Sequence, residues 1–143
     1  MNYRVKQYVS YGGHGVGQIE KIVTMNGAEF YSVIILDSDL KILLPTSSKG
    51  LIRPLMDKFT AKTCREYISG VKKFETKSYS HSFNRRYREM MEKIKSNEPL
   101  QYAEVYSELT QRESLDELSF GERKLRDAAL SLLNREIGLV DET

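Results

Sequence analysis

A single cysteine, two histidines and no tryptophan leave this 143-residue chain short of the side chains that build disulfides, metal centres and nucleophilic sites. Cys64 has no partner for an internal disulfide. Together with His14 and His81 it falls short of the four Cys or His ligands of a closed structural zinc site. Flanked by Thr63 and Arg65 with no evident base beside it, it reads as a structural or half-exposed thiol rather than a nucleophile. No apolar run approaches the roughly 18 residues of a membrane span, and Met1 opens no charged-apolar-small leader. A soluble protein of a reducing, cytoplasmic compartment is expected, with no membrane partner. Its spacing yields no Ser/His/acid or Cys/His constellation, so no enzyme activity, cofactor or metal is expected either.

Two motifs imitate chemistry. Gly12-Gly13-His14-Gly15-Val16-Gly17 is glycine-rich like a phosphate loop, but it lacks the Gly-Lys-Ser/Thr ending and leads into a strand, so no helix N-terminus faces a phosphate. A turn with close backbone approach accounts for it better. Asp37 and Asp39 resemble a carboxylate pair, yet Asp37-Ser38-Asp39 is a polar turn in which such side chains cap local backbone.

The net charge of +2 hides a strong asymmetry. Residues 1–57 hold six Lys/Arg and five Asp/Glu, residues 58–95 eleven and four, and residues 96–143 five and eleven. A basic block of this kind can neutralise phosphates, and an acidic block limits indiscriminate binding. Ordinary solvated helix faces explain the same charges.

The two halves follow different periods. Tyr3, Val5, Val9 and Tyr11 alternate with polar residues, the period-two signature of a strand. Val16–Met25, Glu29–Leu36, Leu40–Leu44 and Leu51–Leu55 read as four more, with Asn26-Gly27 a hairpin turn and Pro54 suited to an edge. Five short strands and tight turns imply a small antiparallel barrel of the SH3 or Tudor kind over residues 1–57. Residues 58–143 then read as a helical domain, giving an α+β chain of two parts.

Its first helix spans about Ala61 to Ile68, closed by Ser69-Gly70, and residues 71–81 receive no assignment. On a helical wheel, Arg85 to Lys95 places Tyr87, Met90, Met91 and Ile94 on one face and Arg85, Arg88 and Lys95 opposite, with Arg86 and Lys93 on a flank. Asn97 is a plausible cap for a helix carrying Tyr102, Val105, Tyr106 and Leu109. Ser119-Phe120-Gly121-Glu122 fits a capping box opening the last helix.

Ser82-Phe83-Asn84-Arg85-Arg86-Tyr87-Arg88 is the stretch that points to nucleic acid. Phe83, placed just before a helix, reads in two ways: as a hydrophobic staple packed on the first turn, which the local pattern favours, or as a wedge held beside arginines. Arg123 and Lys124 oppose the dipole at the start of the last helix, which suggests an external anion, though a solvated face fits too.

Val5 to Gly17, Leu40-Lys41-Ile42-Leu43-Leu44-Pro45, Phe83-Asn84-Arg85-Arg86-Tyr87 and Leu118-Ser119-Phe120-Gly121-Glu122-Arg123 together resemble the bacterial CarD/CdnL family of transcription regulators. Residues 1–56 also resemble the polymerase-interaction domain of transcription-repair coupling factors. The CarD/CdnL resemblance implies a monomer whose Tudor-like module grips the RNA polymerase β subunit and whose helical module touches promoter DNA without sequence preference. It implies an aromatic wedge at Phe83, where family members commonly carry tryptophan, and basic DNA contacts at Arg85, Arg88 and Arg123, with Arg86 and Lys124 beside them. Where some members place arginines in the polymerase-binding module this chain has Met25 and Leu43, so a more apolar contact is expected there, with Lys41 nearby. The implied outcome is a longer-lived open promoter complex; a general nucleic-acid or ribosome-associated binding module is the alternative.

Overall fold

Five antiparallel strands form one curled sheet: β1 Tyr8–Ser10, β2 Val16–Met25, β3 Ala28–Ile35, β4 Lys41–Pro45 and β5 Arg53–Pro54, in the spatial order β4-β3-β2-β1-β5. This computed structural model describes residues 2–48, 50–75 and 82–142. The chain divides after Leu55 into two compact units. The first is the sheet, an open half-barrel of the SH3/Tudor-like kind with β5, and its Pro54, at an edge. The second holds four helices, so the α+β reading holds.

Asn26 and Gly27, both at positive φ, join β2 to β3 as the Asn-Gly pair predicts. The register shifts between Ile19 and Lys21, leaving Glu20 as an extra residue on β2. Val9, Ile19, Tyr31, Val33, Ile35, Leu44 and Ile52 fill the concave side. Gly12–His14 makes a single 3-10 turn, and the glycine-rich motif does bring backbone close. A Cβ added at Gly17 would stand 2.7 Å from Val33 Cγ1 and 3.0 Å from the Ile34 carbonyl oxygen.

The first strand departs from its alternation pattern. Only Tyr8–Ser10 is strand, because the chain turns at Lys6, whose φ is 74°. The Gln7 amide donates to the Arg4 carbonyl, closing that turn at 3.0 Å. The turn folds Tyr3 over the end of the core, where its amide donates to the Tyr31 hydroxyl and its own hydroxyl donates to the Ile52 carbonyl. Burial, and then the neighbouring Tyr31, raise the Tyr3 phenol above its usual range.

The helices are α1 Lys58–Ser69, α2 Phe83–Lys95, α3 Pro99–Glu113 and α4 Phe120–Asp141. Asp57 caps α1 by accepting from the Thr60 amide at 2.7 Å, a bond that holds its carboxyl below the usual carboxylate range. α3 is the central helix, packed by α1, α2 and α4, with Tyr102, Ala103, Val105 and Leu109 buried. Cys64 is fully buried, its thiol facing the Pro99 carbonyl at 3.8 Å. Asn97 is not the cap of α3. It adopts φ 59° and hands that position to Glu98, with Pro99 opening the helix where its missing N–H does no harm. Of the unassigned stretch 71–81, residues 76–81 lie outside the described residues. Phe74 is tied to α3 through its amide to Ser107 Oγ and its carbonyl to Gln111 Nε2.

Gly17→Ala is expected to destabilise the sheet unit by about 2 kcal/mol, since the new methyl overlaps Val33 and a carbonyl that cannot retreat. Urea unfolding of the full chain, followed by circular dichroism, measures this; an unchanged midpoint would contradict the close approach.

Candidate nucleic-acid interface

α2 begins two residues earlier than its wheel suggests. Ser82 is the cap, its Oγ accepting from the Arg85 amide at 3.3 Å, so Phe83 is the first helical residue. A staple belongs one residue before the cap, at position 81, which Phe83 does not occupy. Instead its ring stacks on Tyr87, four residues on, with centroids 5.9 Å apart and planes 22° apart, and Phe83 remains 45% exposed.

The hydroxyl end of the Tyr87 ring meets α4. A Cβ at Gly121 would come within 3.1 Å of Tyr87 Cε2, so the ring rests against a stretch of helix that has no side chain. That contact brings the N-terminal ends of α2 and α4 together. The start of α4 is itself held by its capping box, in which Ser119 Oγ accepts from the Glu122 amide at 3.1 Å and Glu122 Oε1 accepts from the Ser119 amide at 3.0 Å. Glu122 is only 4% exposed, and its second oxygen faces Arg112 Nη1 of α3 at 3.6 Å. One carboxylate therefore sets both where α4 starts and how it lies on α3.

The basic residues divide by burial and pairing. Arg85 is exposed and shares Glu89 at 3.4 Å; Arg86 is half-buried with its Nε enclosed. Arg88, Arg123 and Lys124 are exposed, and none of the three pairs with a carboxylate among the described residues. Elsewhere the acids of the tail are used internally: Glu104 binds Lys93, Glu113 binds Arg126, and Asp141 binds Arg65. Arg88, Arg123 and Lys124 thus keep exposed charges near the starts of α2 and α4.

Phe120 escaped the reading of the sequence, which saw it only as a spacer in the capping box. It is the first residue of α4, 71% exposed, with Lys124 Nζ 5.6 Å from its ring centroid. The available signal was an aromatic at the first helical position with a lysine four residues later, a pair that helix geometry places on one face.

In the sheet unit, cross-strand partners share a face. Lys21, Ser32 and Leu43 form one row on the face away from the core, and Gln18, Ile34 and Lys41 form the next. Lys41 and Leu43 are therefore neighbours on edge strand β4, with Leu43 exposed. Met25 is on the same face but at the far hairpin end, opposite Ala28. Lys41 Nζ reaches Glu20 Oε1 at 3.4 Å; the Ser32 hydroxyl first, and Lys41 second, draw the Glu20 carboxyl below its usual range. No helix among the described residues is long and apolar enough to cross a membrane, and none of their His, Cys, Asp and Glu cluster as metal ligands.

Glu122→Ala is expected to destabilise the helical unit by about 3 kcal/mol, since it removes half of the capping box and strands a largely buried Arg112. Thermal unfolding of the two proteins would show this; equal transitions would mean that the buried carboxylate does not organise α4.

The family model for the CarD C-terminal domain matches residues 70–143, and that for the CarD-like/TRCF RID domain matches residues 3–56. No curated protein matches the chain.

Proposed function

The chain belongs to the CarD/CdnL family, whose members are regulators of transcription associated with RNA polymerase, and from that premise we propose that it lengthens the life of the open promoter complex. In this reading the sheet unit docks on the polymerase β subunit, and the helical unit inserts Phe83 into the minor groove at the upstream edge of the melted bubble. The observation that carries it is Phe83 itself, nearly half exposed and braced through Tyr87 on Gly121.

A wedge must resist being pushed back when it enters a base step. Phe83 is backed by the Tyr87 ring, which itself stands close to α4 at Gly121. Apolar side chains that partly unstack a minor-groove step cost a few kcal/mol in intact duplex. At a fork the step is already loosened, so the same side chain enters at lower cost. Arg85, Arg88, Arg123 and Lys124 then hold phosphates on either side, with half-buried Arg86 a flanking contact. Phosphate contacts fix position without reading sequence. Phenylalanine has less stacking area than tryptophan and no indole donor, so more of the binding rests on these cations.

Binding of this kind shifts an equilibrium only by its preference for one state. About 1.4 kcal/mol in favour of open over closed DNA changes their ratio roughly tenfold. Tethering through the sheet unit raises the local concentration of the helical unit, so a weak DNA contact suffices. For that tether, β4 offers an edge strand with Lys41 and Leu43 side by side, and Met25 extends the same face. An edge strand is where another chain can add main-chain hydrogen bonds.

Phe83→Ala should shorten the open-complex lifetime roughly fivefold or more, on the order of one lost stacking contact, while association with polymerase is unchanged. Competitor-challenge measurements of open-complex decay provide the readout, and equal lifetimes would sink the wedge. Leu43→Asp should weaken association with a purified polymerase β fragment by about tenfold or more if it sits in the docked face. Calorimetric titration would reveal it. Undiminished binding of that variant would remove Leu43 from the contact, and no binding by the unaltered chain would remove the partner.

A further inference from the structure

Phe120 is the largest exposed feature at the converging helix ends that the wedge leaves unused. At about 100° per residue, the surface of α4 read outward from the side that meets α2 runs Gly121, Lys124, Phe120, Arg123. Gly121 touches Tyr87, and Tyr87 carries Phe83. From Gly121, which meets Tyr87, the exposed positions of α4 therefore run round to Lys124 at about 60° and Phe120 at about 100°, with Arg123 beyond them at about 160°. Phe120 lies between Lys124 and Arg123, neither of which has a carboxylate partner among the described residues.

We propose that Phe120 is a stacking platform for an unpaired nucleobase of single-stranded DNA, with Arg123 and Lys124 holding the phosphates on either side of that base. The inference rests on the reading of the helical unit as a DNA-binding module and adds a second site to it. Alternating rings and cations are what single strands require, because every base presents a π-face and every linkage a negative charge. Inside a duplex both faces of a base are covered by its neighbours; at a fork, the first unpaired base has an open face. Phe120 is open to receive one. Lys124 occupies only one side of its ring, and 71% of the residue stays exposed. A phenylalanine at the first position of a helix is not needed to form that helix, since the cap and capping box come from Ser119 and Glu122. Its burial does not explain it either. The charge is complementary: Arg123 and Lys124 sit where they oppose the helix dipole, a placement that an incoming phosphate relieves.

The two aromatic residues then divide the junction. Phe83 acts on the last paired step, and Phe120 holds the first base beyond it. The full chain would share its binding between duplex and single strand and prefer a forked DNA to a blunt one.

The test uses the full chain at low salt with a forked duplex carrying 2-aminopurine at the first unpaired positions, alongside a blunt duplex of the same paired sequence. Fork binding should quench the 2-aminopurine, and the fork should bind about tenfold more tightly than the blunt duplex, as expected for one stacked base. Phe120→Ala should remove that preference and the quenching, leaving blunt-duplex affinity within twofold. Phe120→Tyr should restore both, since it keeps the ring. Phe83→Ala should weaken both DNAs. If Phe120→Ala binds and quenches the fork like the unaltered chain while Phe83→Ala is impaired, the platform is wrong and the wedge stands. If Phe120→Ala loses polymerase association instead of fork preference, the surface is a protein contact and the platform is wrong. If the unaltered chain binds neither DNA, the platform and the DNA-binding reading fall together.

Discussion

The contact between the Tyr87 ring and the bare backbone of Gly121 is the constraint on which the helical unit's exposed surface depends. A side chain at 121 would press on the Tyr87 ring, 3.1 Å from its first carbon. With glycine there, the ring stands against α4 and Phe83 stacks on the ring. The other end of the constraint is Glu122, whose single carboxylate closes the capping box and faces Arg112. Position 121 decides how closely the helices meet, and position 122 decides where one of them begins. Neither residue needs to touch a ligand to determine whether one can be bound.

What the sequence made legible was local. The Asn26-Gly27 turn, the Ser119–Glu122 capping box and the apolar faces of α2, α3 and α4 all depend on residues within a few positions of one another, and all are present. What it hid depended on partners far along the chain. Tyr3 and Val5 continue the alternation of β1 as far as pattern can tell, yet the chain turns at Lys6 because Tyr3 is wanted over Tyr31 and Ile52. Asn97 resembles a cap, but a left-handed conformation there moves the helix start to Glu98. The support beneath Phe83 was likewise invisible, since nothing near residue 87 announces that its ring meets Gly121. Phe120 was hidden for the opposite reason: it stood inside a motif so well explained by capping that its own exposure went unasked.

Charge distribution is similarly clearer in three dimensions. The basic middle and acidic tail suggested two opposed blocks, but much of the opposition is consumed inside the helical unit, where Lys93, Arg112 and Arg126 meet Glu104, Glu122 and Glu113. Net charge by segment therefore overstated the free positive surface. Arg88, Arg123 and Lys124 belong to the remainder, which is smaller and better placed than the totals implied.

The buried carboxylate of Glu136 has a consequence of another kind. Its Oε2 accepts from the backbone amide of Met56 at 2.6 Å, joining the first residue of the helical unit to its last helix across 80 positions. During synthesis the strands of the sheet unit are complete while α4 is still unmade, and domains generally fold in the order they appear. In the helical unit the opening residue finds its buried acceptor only on the last helix, so that bond closes only once α4 is made. Such long-range closure slows folding and ties it to completion of the chain. A polypeptide interrupted before residue 136 would carry all five strands of the sheet but lack the acceptor that joins Met56 to α4.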